Sequence, residues 1–390
     1  MQRKKENFEM TAKTFFGLEN VLADELKNIG AKQIVIHNRA VSFFGNQETM
    51  YKANYCLRTA LRILKPILKF RTNSPKTLYR VVKNYEWEKL FSLNETFAID
   101  TVVKSEYFKH SKFVALKVKD AIVDRFREKF SDRPSVDVDN PVIRINVHIF
   151  NNSCTISLDS SGDSLHKRGY RTAKTPAPLN EVLAAGMILL SEWNKNSEFI
   201  DGMCGSGTLP IEAAWIALNI PPGFLRDNYG FTKWKNFDLN LWRKVKASVK
   251  IKSVLDFKIV ASDKSPSAIE AAARNIKSAK LLKHIKLEKK DFSEQKSLAG
   301  KGIIILNPPY GERLRENNIN LLYSEIGDSF KNHFPGFTAW VFSANKDAIK
   351  NIGLKTSKRL TLFNGALECK FHKYELYSGS KKKREIKPTH

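Results

Sequence analysis

Residues 303–313 read IIILNPPYGER, a run of four aliphatic residues that continues directly into an amide, two prolines and an aromatic ring. An uninterrupted aliphatic run predicts a strand covered on both faces, which is typical of a central strand in a parallel α/β sheet. Ligands of such sheets bind beyond the carboxyl ends of the strands. The polar cluster that starts at Asn307 is therefore predicted to lie in a binding site.

The two prolines restrict the backbone after this strand, because each fixes its own φ and biases the preceding residue toward extended geometry. Asn307 and Pro308 then present a side-chain amide oxygen and a backbone carbonyl as two fixed acceptors. Such a pair suits the two hydrogens of an exocyclic amino group on a base, and Tyr310 offers a ring to stack on that base. We predict catalytic roles for Asn307, Pro308, Pro309 and Tyr310. A plain β-turn is the alternative, since Asn-Pro often opens turns.

The composition favours a polyanionic partner. The chain of 390 residues holds 66 Lys and Arg against 40 Asp and Glu, a formal net charge of +26. Nucleic acid fits this balance better than a small metabolite, with a membrane surface as the rival. No apolar run is long enough for a spanning helix, and the first residues lack the apolar core of a signal peptide, so we expect a cytoplasmic protein. The four cysteines are scattered without CxxC spacing, which predicts reduced thiols and no metal site.

The region before residue 160 carries alternating helix and strand patterns and many cations. Residues 51–70 are predicted to form one amphipathic helix, because leucines recur at helical spacing. Strands over 97–103 and 142–158 flank a basic helix over 113–130. Such a module can bind a polyanion but offers no catalytic group. The predicted contacts come from the cations Arg58, Arg62, Lys65 and Lys69, with a merely solvated face as the alternative.

A connector rich in turn residues covers about 160–172, where we place a domain boundary. After it, a strand at Phe199 ends in Asp201 and a glycine loop that reads DGMCGSGT over 201–208. The loop matches neither the dinucleotide fingerprint nor the phosphate-binding P-loop. Its amides, together with the following helix N-terminus, can receive a carboxylate. This arrangement suits S-adenosylmethionine, whose ammonium group also needs an acid nearby.

Two further strands end in acids. Asp263 is placed to bind ribose hydroxyls, and Asp291 with Phe292 is placed to bind an adenine amino group and ring. Any one strand-end acid also fits a helix cap, because Asp is favoured there for capping alone. Downstream, the pair Asn364-Gly365 between two apolar segments predicts a hairpin. We therefore expect an α/β fold in which a parallel sheet closes with an antiparallel hairpin.

Taken together, residues 201–208, 307–313 and the connector SLHKRGYR at 164–171 resemble the THUMP-domain RNA methyltransferases, in particular the bacterial large-subunit rRNA guanine-N2 branch. The resemblance spans nearly the whole chain. It implies a Rossmann-like class I methyltransferase domain preceded by an α+β ferredoxin-like and THUMP RNA-binding region. The implied division is 1–50 ferredoxin-like piece, 51–160 THUMP domain, 161–180 connector, 181–378 methyltransferase domain and 379–390 basic tail.

The same resemblance assigns roles to single residues. It makes Asn307 to Tyr310 the target-base site, and it implies RNA contacts from Arg168, Arg171 and Arg313 besides the four cations above. The cofactor S-adenosylmethionine is expected at Pro178, Leu179, Asp201, Gly202, Cys204, Gly205, Ser206, Gly207, Thr208, Asp263, Asp291, Phe292 and Asn307. The best-known enzyme of the branch is a longer fusion with a second methyltransferase domain, so we expect one modification from this chain. We expect a monomer or weak dimer.

Several alternatives remain open from the sequence. A tRNA guanine-N2 methyltransferase, a DNA adenine-N6 methyltransferase and a protein-glutamine methyltransferase share the amide-proline site. A non-catalytic RNA-binding assembly factor would not need that site intact. A pyrimidine-C5 methyltransferase would need a cysteine nucleophile, but no Pro-Cys pair occurs. The aromatic residues of the stretch 221–258 are predicted either to stack on RNA or to form a core of their own.

Overall fold

The computed structural model describes residues 6–173, 178–297, 299–309 and 316–378. The strands are β1 (Phe8–Lys13), β2 (Lys32–His37), β3 (Ala40–Gly45), β4 (Arg62–Arg71), β5 (Phe97–Lys104), β6 (Ile143–Phe150), β7 (Ser153–Asp159), β8 (Glu198–Asp201), β9 (Ile259–Asp263), β10 (Ile285–Lys289), β11 (Gly302–Leu306), β12 (Phe337–Ser343), β13 (Lys358–Asn364) and β14 (Leu367–Glu375). The helices are α1 (Glu19–Asn28), α2 (Gln47–Cys56), α3 (Pro75–Lys83), α4 (Ser111–Phe130), α5 (Glu181–Leu190), α6 (Thr208–Ala217), α7 (Leu239–Ala247), α8 (Pro266–Ser278) and α9 (Glu316–His333).

The described residues form two compact units that interleave along the chain. The first unit takes its residues from 6–14, 22–167 and 221–249. The second unit takes the described residues within 15–21, 168–220 and 250–378. No helix among the described residues is long and apolar enough to cross a membrane.

The first unit is built on a seven-stranded sheet in the order β2-β3-β1-β4-β7-β6-β5. Its strands pair antiparallel except β5 and β6, which are parallel. Burial alternates along β6, where Ile145 and Val147 are fully buried and share a core with Val118 of α4. One face of the sheet therefore packs against helices, as period-two alternation requires.

The predicted single helix over 51–70 is wrong. The structure ends α2 at Cys56, gives Leu57 an extended backbone and continues into β4. The apolar spacing had suggested a helix, but Pro66 lies in this segment and has no backbone N–H for a helical hydrogen bond. In β4 the proline is accommodated next to a break in register with β7, which is a typical position for a proline in a sheet.

The aromatic residues of the predicted insertion are mostly buried. Tyr229, Phe231 and Trp242 lie in the core of the first unit. Tyr51 of α2 stacks on Phe231 with ring centroids 4.4 Å apart and meets Trp242 edge-on at 5.8 Å. These rings are therefore not available to stack on RNA. They form no separate core either, because they pack on α2.

The second unit holds a seven-stranded sheet in the order β10-β9-β8-β11-β12-β14-β13. The first five strands are parallel, and β14 pairs antiparallel with both β12 and β13. Strand β11, whose four aliphatic residues are at most 3% exposed, lies between β8 and β12. The predicted central strand and the antiparallel closing hairpin are both confirmed. The carboxyl ends of the parallel strands β8, β9 and β11 position the site described next.

Candidate active site

A cavity of ≈ 790 Å³ opens at the carboxyl ends of β8, β9 and β11 in the second unit. Its size lies within the range of small-molecule sites. It brings together nearly all the predicted cofactor and base residues that the structure describes: Pro178, Leu179, Asp201, Gly202, Cys204, Gly205, Ser206, Thr208, Asp263, Asp291, Phe292, Asn307, Pro308 and Pro309. Gly207 does not line the cavity but is the N-cap of α6. Tyr310 and Arg313 lie outside the described residues.

The glycine loop after β8 has a backbone that requires its glycines. Gly205 has φ +52° and Gly207 has φ +82°, in the left-handed region that other residues rarely adopt. A Cβ on Gly202 would lie 2.1 Å from the ring of Phe292. The loop therefore packs closely on Phe292. It leads directly into the N-terminus of α6. Such a turn presents backbone amides to a ligand.

Two carboxylates brace this loop from inside. Asp201 accepts a hydrogen bond from Met203 N at 3.1 Å, and Asp263 accepts one from Gly205 N at 2.9 Å. Asp201 is 1% exposed. Burial, with a smaller contribution from the neighbouring Asp263, raises its pKa to about 8. The cavity therefore contains a desolvated acid that would be stabilised in its ionised form by a bound cation.

The third strand-end acid lies near the surface. Asp291 accepts hydrogen bonds from Ser293 N at 3.0 Å and Ser293 Oγ at 2.8 Å. Burial opposes its ionisation, but these hydrogen bonds and the nearby Lys264 prevail and lower its pKa. The adjacent Phe292 is 3% exposed and stacks on Phe334, with ring centroids 5.6 Å apart. Its ring therefore forms a fixed wall of the cavity.

Asn307 follows β11 at the centre of the sheet. Its Oδ1 atom is buried and has no hydrogen-bond partner within the part of the chain that the structure describes. A buried acceptor without a partner costs about 1–3 kcal/mol, so such an atom marks a place where a donor is received. Pro308 is buried and Pro309 is exposed at the rim.

Sequence reasoning did not assign nine of the residues that line the cavity. Six of them adjoin predicted positions in the glycine loop or after Asp263: Met203, Leu209, Lys264, Ser265, Ser267 and Ala268. The other three are Leu322 of α9 and the hairpin residues Asn364 and Leu367. The pair Asn364-Gly365 predicts a turn but not its place in the cavity wall. The position of that turn depends on the pairing of β14 with β12, which no local pattern reveals.

The connector arginines do not have the predicted positions. Arg168 is 1% exposed, and its Nε lies 3.4 Å from Glu212 Oε1, which also accepts from the Tyr170 hydroxyl at 3.1 Å. A guanidinium enclosed in this way does not reach a phosphate. The predicted RNA contact at Arg168 is therefore contradicted.

Arg171 instead holds the glycine loop. Its guanidinium donates to Glu181 Oε1 at 2.7 Å, to the Leu179 carbonyl at 3.0 Å and to the hydroxyls of Ser206 at 3.1 Å and Thr208 at 3.0 Å. Its side chain is 13% exposed. The buried Asn275 of α8, which sequence reasoning also missed, adds a bond to the Ser206 carbonyl at 2.9 Å. The predicted RNA contact at Arg171 is replaced by a contact with the site itself.

The four cations of the first unit that are predicted to contact RNA lie in four different environments. Arg58 is 9% exposed, which contradicts a surface role. Arg62 pairs with the buried Asp159. Lys65 lies over the ring of Phe8, 4.1 Å from its centroid. Lys69 is exposed and pairs with Glu9, so it is the one of the four that solvent reaches freely.

Fold and site together define a class I methyltransferase: a parallel sheet with an antiparallel closing hairpin, a glycine loop after the first strand of the second unit, and an amide-proline motif after the fourth. Models of three families match the chain: RMKL-like methyltransferase domain at 168–373, THUMP domain at 73–159 and RlmL ferredoxin-like domain at 9–64. The chain belongs to the RMKL-like methyltransferase family, which confirms the resemblance found in the sequence.

Full-length comparisons agree. A Synechocystis sp. protein described as a candidate RNA methyltransferase is 39% identical, and the match covers 95% of this chain and 98% of that protein. The ribosomal RNA large subunit methyltransferase K/L of Syntrophotalea carbinolica is 38% identical over 92% of this chain. The chain spans about half of that relative, 52% of its length. The crystal structure of SMU.472, a candidate methyltransferase complexed with S-adenosylhomocysteine, superposes with a TM-score of 0.86 at 29% identity, covering 97% of this chain and 100% of the other.

Proposed function

We propose that the protein is an S-adenosylmethionine-dependent RNA methyltransferase that modifies the exocyclic N2 amino group of a guanine in large-subunit ribosomal RNA. The observation that carries this proposal is the buried Asn307 Oδ1, an acceptor without a partner among the described residues. It lies at the end of a central strand in the cavity. An amino N–H of a base supplies the donor that this atom needs.

The residues present fit S-adenosylmethionine. Gly202 and Gly205 line the cavity, and Gly202 packs so closely on the Phe292 ring that a Cβ would collide with it, so the loop backbone itself forms this part of the cavity wall. Asp201 and Asp263 offer carboxylate oxygens to the cofactor's ammonium and ribose, and Asp291 offers one to the adenine amino group. The cofactor supplies an activated methyl group on a sulfonium. The relative solved with S-adenosylhomocysteine supports this assignment.

The chemistry at the base requires positioning more than acid–base catalysis. The guanine N2 lone pair is delocalised into the ring, which makes N2 a poor nucleophile. Asn307 Oδ1 and the Pro308 carbonyl accept hydrogen bonds from the two N–H groups of N2. They thereby stabilise the positive charge that develops on this nitrogen. The nitrogen forms a bond to the methyl carbon while the carbon–sulfur bond breaks and its electrons stay on sulfur. N2 then loses one proton to water.

The choice of RNA rests on the first unit, which matches ferredoxin-like and THUMP models, and on the net charge of +26. The choice of large-subunit rRNA rests on the K/L relatives. A polyanionic ribosomal substrate also supports a cytoplasmic location.

Incubation of the purified chain with S-adenosylmethionine and unmodified transcripts of 23S rRNA, 16S rRNA and tRNA tests this function. Nucleoside mass spectrometry is expected to find N2-methylguanosine in 23S rRNA alone. An Asn307→Ala variant prepared in parallel identifies methylation by contaminating enzymes. A ring-carbon or ribose methyl, or transfer only to 16S rRNA or tRNA, would refute the proposal.

A further inference from the structure

The two faces of the first unit's sheet differ in exposure, and strand β6 shows the difference. Ile145, Val147 and Ile149 of this strand are buried, whereas Phe150 is 49% exposed. Because successive residues of a strand alternate between faces, Phe150 lies on the face opposite to these three aliphatic residues, together with His148 two positions earlier. We call this second face the outer face of the sheet.

The strand register places exposed side chains of four neighbouring strands in rows on this outer face. The first row runs Lys104 on β5, Phe150 on β6, Ser153 on β7 and Arg71 on β4. All four residues are exposed. Because strands lie about 4.8 Å apart, the two cations that end the row are separated by roughly 14 Å.

The second row lies two residues along each strand and therefore on the same face. It runs Val102, His148, Thr155 and Lys69. Val102 is 53% exposed, and Lys69 is exposed as well. The two rows hold no carboxylate. Lys69 pairs with Glu9 on β1, but an exposed pair of this kind contributes little and can exchange for a phosphate.

We propose that this surface, which we call the sheet patch (Val102, Lys104, Phe150, Ser153, Arg71 and Lys69), binds a single-stranded segment of the RNA substrate through base stacking on Phe150 and phosphate contacts with the cations. The inference rests on the proposed function, because it takes the substrate to be RNA. It adds a binding site in the first unit, in addition to the cavity at the end of β11.

The chemistry of the patch selects this occupant. A half-exposed phenylalanine ring with Lys104 Nζ 5.8 Å from its centroid offers a flat apolar face beside a cation. Unpaired bases stack on such rings, whereas the bases of a duplex are already stacked on one another. His148, in the second row, is only half-buried, and burial followed by the charge of Lys13 lowers its pKa, so the cationic form of this ring is disfavoured.

Fluorescence anisotropy of the full chain with a labelled 12-nucleotide oligouridylate tests stacking. Phe150→Ala is expected to weaken binding about tenfold, the scale of one lost base–aromatic stack. Phe150→Tyr keeps a ring and is expected to bind like the wild type. Phe130→Ala is the matched control, because Phe130 is 44% exposed and Lys129 Nζ lies 5.7 Å from its centroid, but it ends α4.

The cations are tested by salt dependence. The double variant Arg71→Ala with Lys104→Ala is expected to reduce the slope of log affinity against log salt by about one to two, because two phosphate contacts are lost. Arg133→Ala, at another exposed position of the same unit, serves as control and is expected to leave the slope unchanged.

The outcomes separate this proposal from the proposed function. Wild-type affinity of Phe150→Ala, or equal losses in Phe150→Ala and Phe130→Ala, overturns the sheet patch. Equal losses in Phe150→Tyr and Phe150→Ala overturn stacking. Melting curves and S-adenosylhomocysteine titration check that each variant is folded with an intact cavity. Oligouridylate contains no guanine, so the binding results stand whether or not N2-methylguanosine is found.

Discussion

The guanidinium of Arg171 lies 3.0 Å from the hydroxyl of Thr208, and this hydrogen bond ties the connector to the glycine loop. The same side chain reaches Ser206 at 3.1 Å and Glu181 at 2.7 Å. A loop whose backbone depends on left-handed glycines gains rigidity from such a brace. Arg171 is thus a positioning residue for the cofactor in our proposal.

Arg171→Ala is expected to weaken S-adenosylhomocysteine binding by roughly tenfold to a hundredfold, because hydrogen bonds to a charged group contribute about 1.5–3 kcal/mol. Isothermal titration calorimetry measures the change. The substitution also leaves Glu181, which is 4% exposed, without this partner. The double variant Arg171→Ala with Glu181→Gln removes that buried charge. If the double variant binds like the wild type, Arg171 acts only by neutralising Glu181 and the positioning role is wrong.

Asp263→Asn tests the predicted ribose acid. Asp263 also accepts from Gly205 N at 2.9 Å and from Ser265 N at 2.9 Å, so Asp263→Ala would disturb the loop and the start of α8 as well. The asparagine keeps one acceptor oxygen, so it can retain one of these two backbone hydrogen bonds while it removes the charge. We expect S-adenosylhomocysteine affinity to fall by about 1.5–3 kcal/mol, the scale of a charged hydrogen bond. Glu270→Gln, at an exposed position of α8, is the control, and equal affinity in the two variants would contradict the assignment.

The buried Asp201 predicts a pH dependence of stability. Burial raises its pKa from an ordinary value of 3.8 to about 8. Between these two pH values the folded chain holds a proton that the unfolded chain has released, so the free energy of unfolding decreases as pH rises. The stabilisation that comes from the bound proton of Asp201 is fully present below pH 3.8 and is lost as the pH rises past about 8.

Asp201→Asn isolates this effect, because the amide keeps an acceptor for Met203 N and does not titrate. The stability of the variant relative to the wild type is expected to grow from pH 5 to pH 8 and to level off above it. Urea denaturation without cofactor at several pH values measures the difference. A difference that stays constant with pH would show that Asp201 does not titrate in this range.

Local patterns predicted most of the residues that gather around the cavity of the second unit. The aliphatic run of β11, the glycine loop and the strand-end Asp201 and Asp263 each follow from a few adjacent residues, and parallel strands gather their ends at one edge. Charge alone did not reveal the role of Arg168, because its partner Glu212 is 44 residues away. The helix prediction for residues 51–70 was wrong for a related reason. The leucine spacing fits a helix, and only the pairing of β4 with β1 and β7 establishes the strand.

The last prediction concerns Asn307. Its Oδ1 is buried, lacks a partner among the described residues and lies in the cavity, so the acceptor is already in place before a base arrives. Such preorganised contacts stabilise charge in the transition state without reorganisation, and losing one typically costs a hundredfold or more in rate. Asn307→Ala is therefore expected to lower the single-turnover rate of methyl transfer to 23S rRNA by about a hundredfold, with RNA affinity nearly unchanged.

Rapid-quench assays with saturating enzyme measure that rate, and anisotropy measures the affinity. Asn364→Ala, also in the cavity wall but on the hairpin, is the matched control and is expected to change the rate by less than tenfold. Asn307→Asp keeps an acceptor and adds a negative charge, so it is expected to retain more activity than Asn307→Ala. The role of Asn307 as acceptor for the guanine amino group is contradicted if Asn307→Ala transfers methyl groups at the wild-type rate, because the developing charge on N2 would then be stabilised elsewhere.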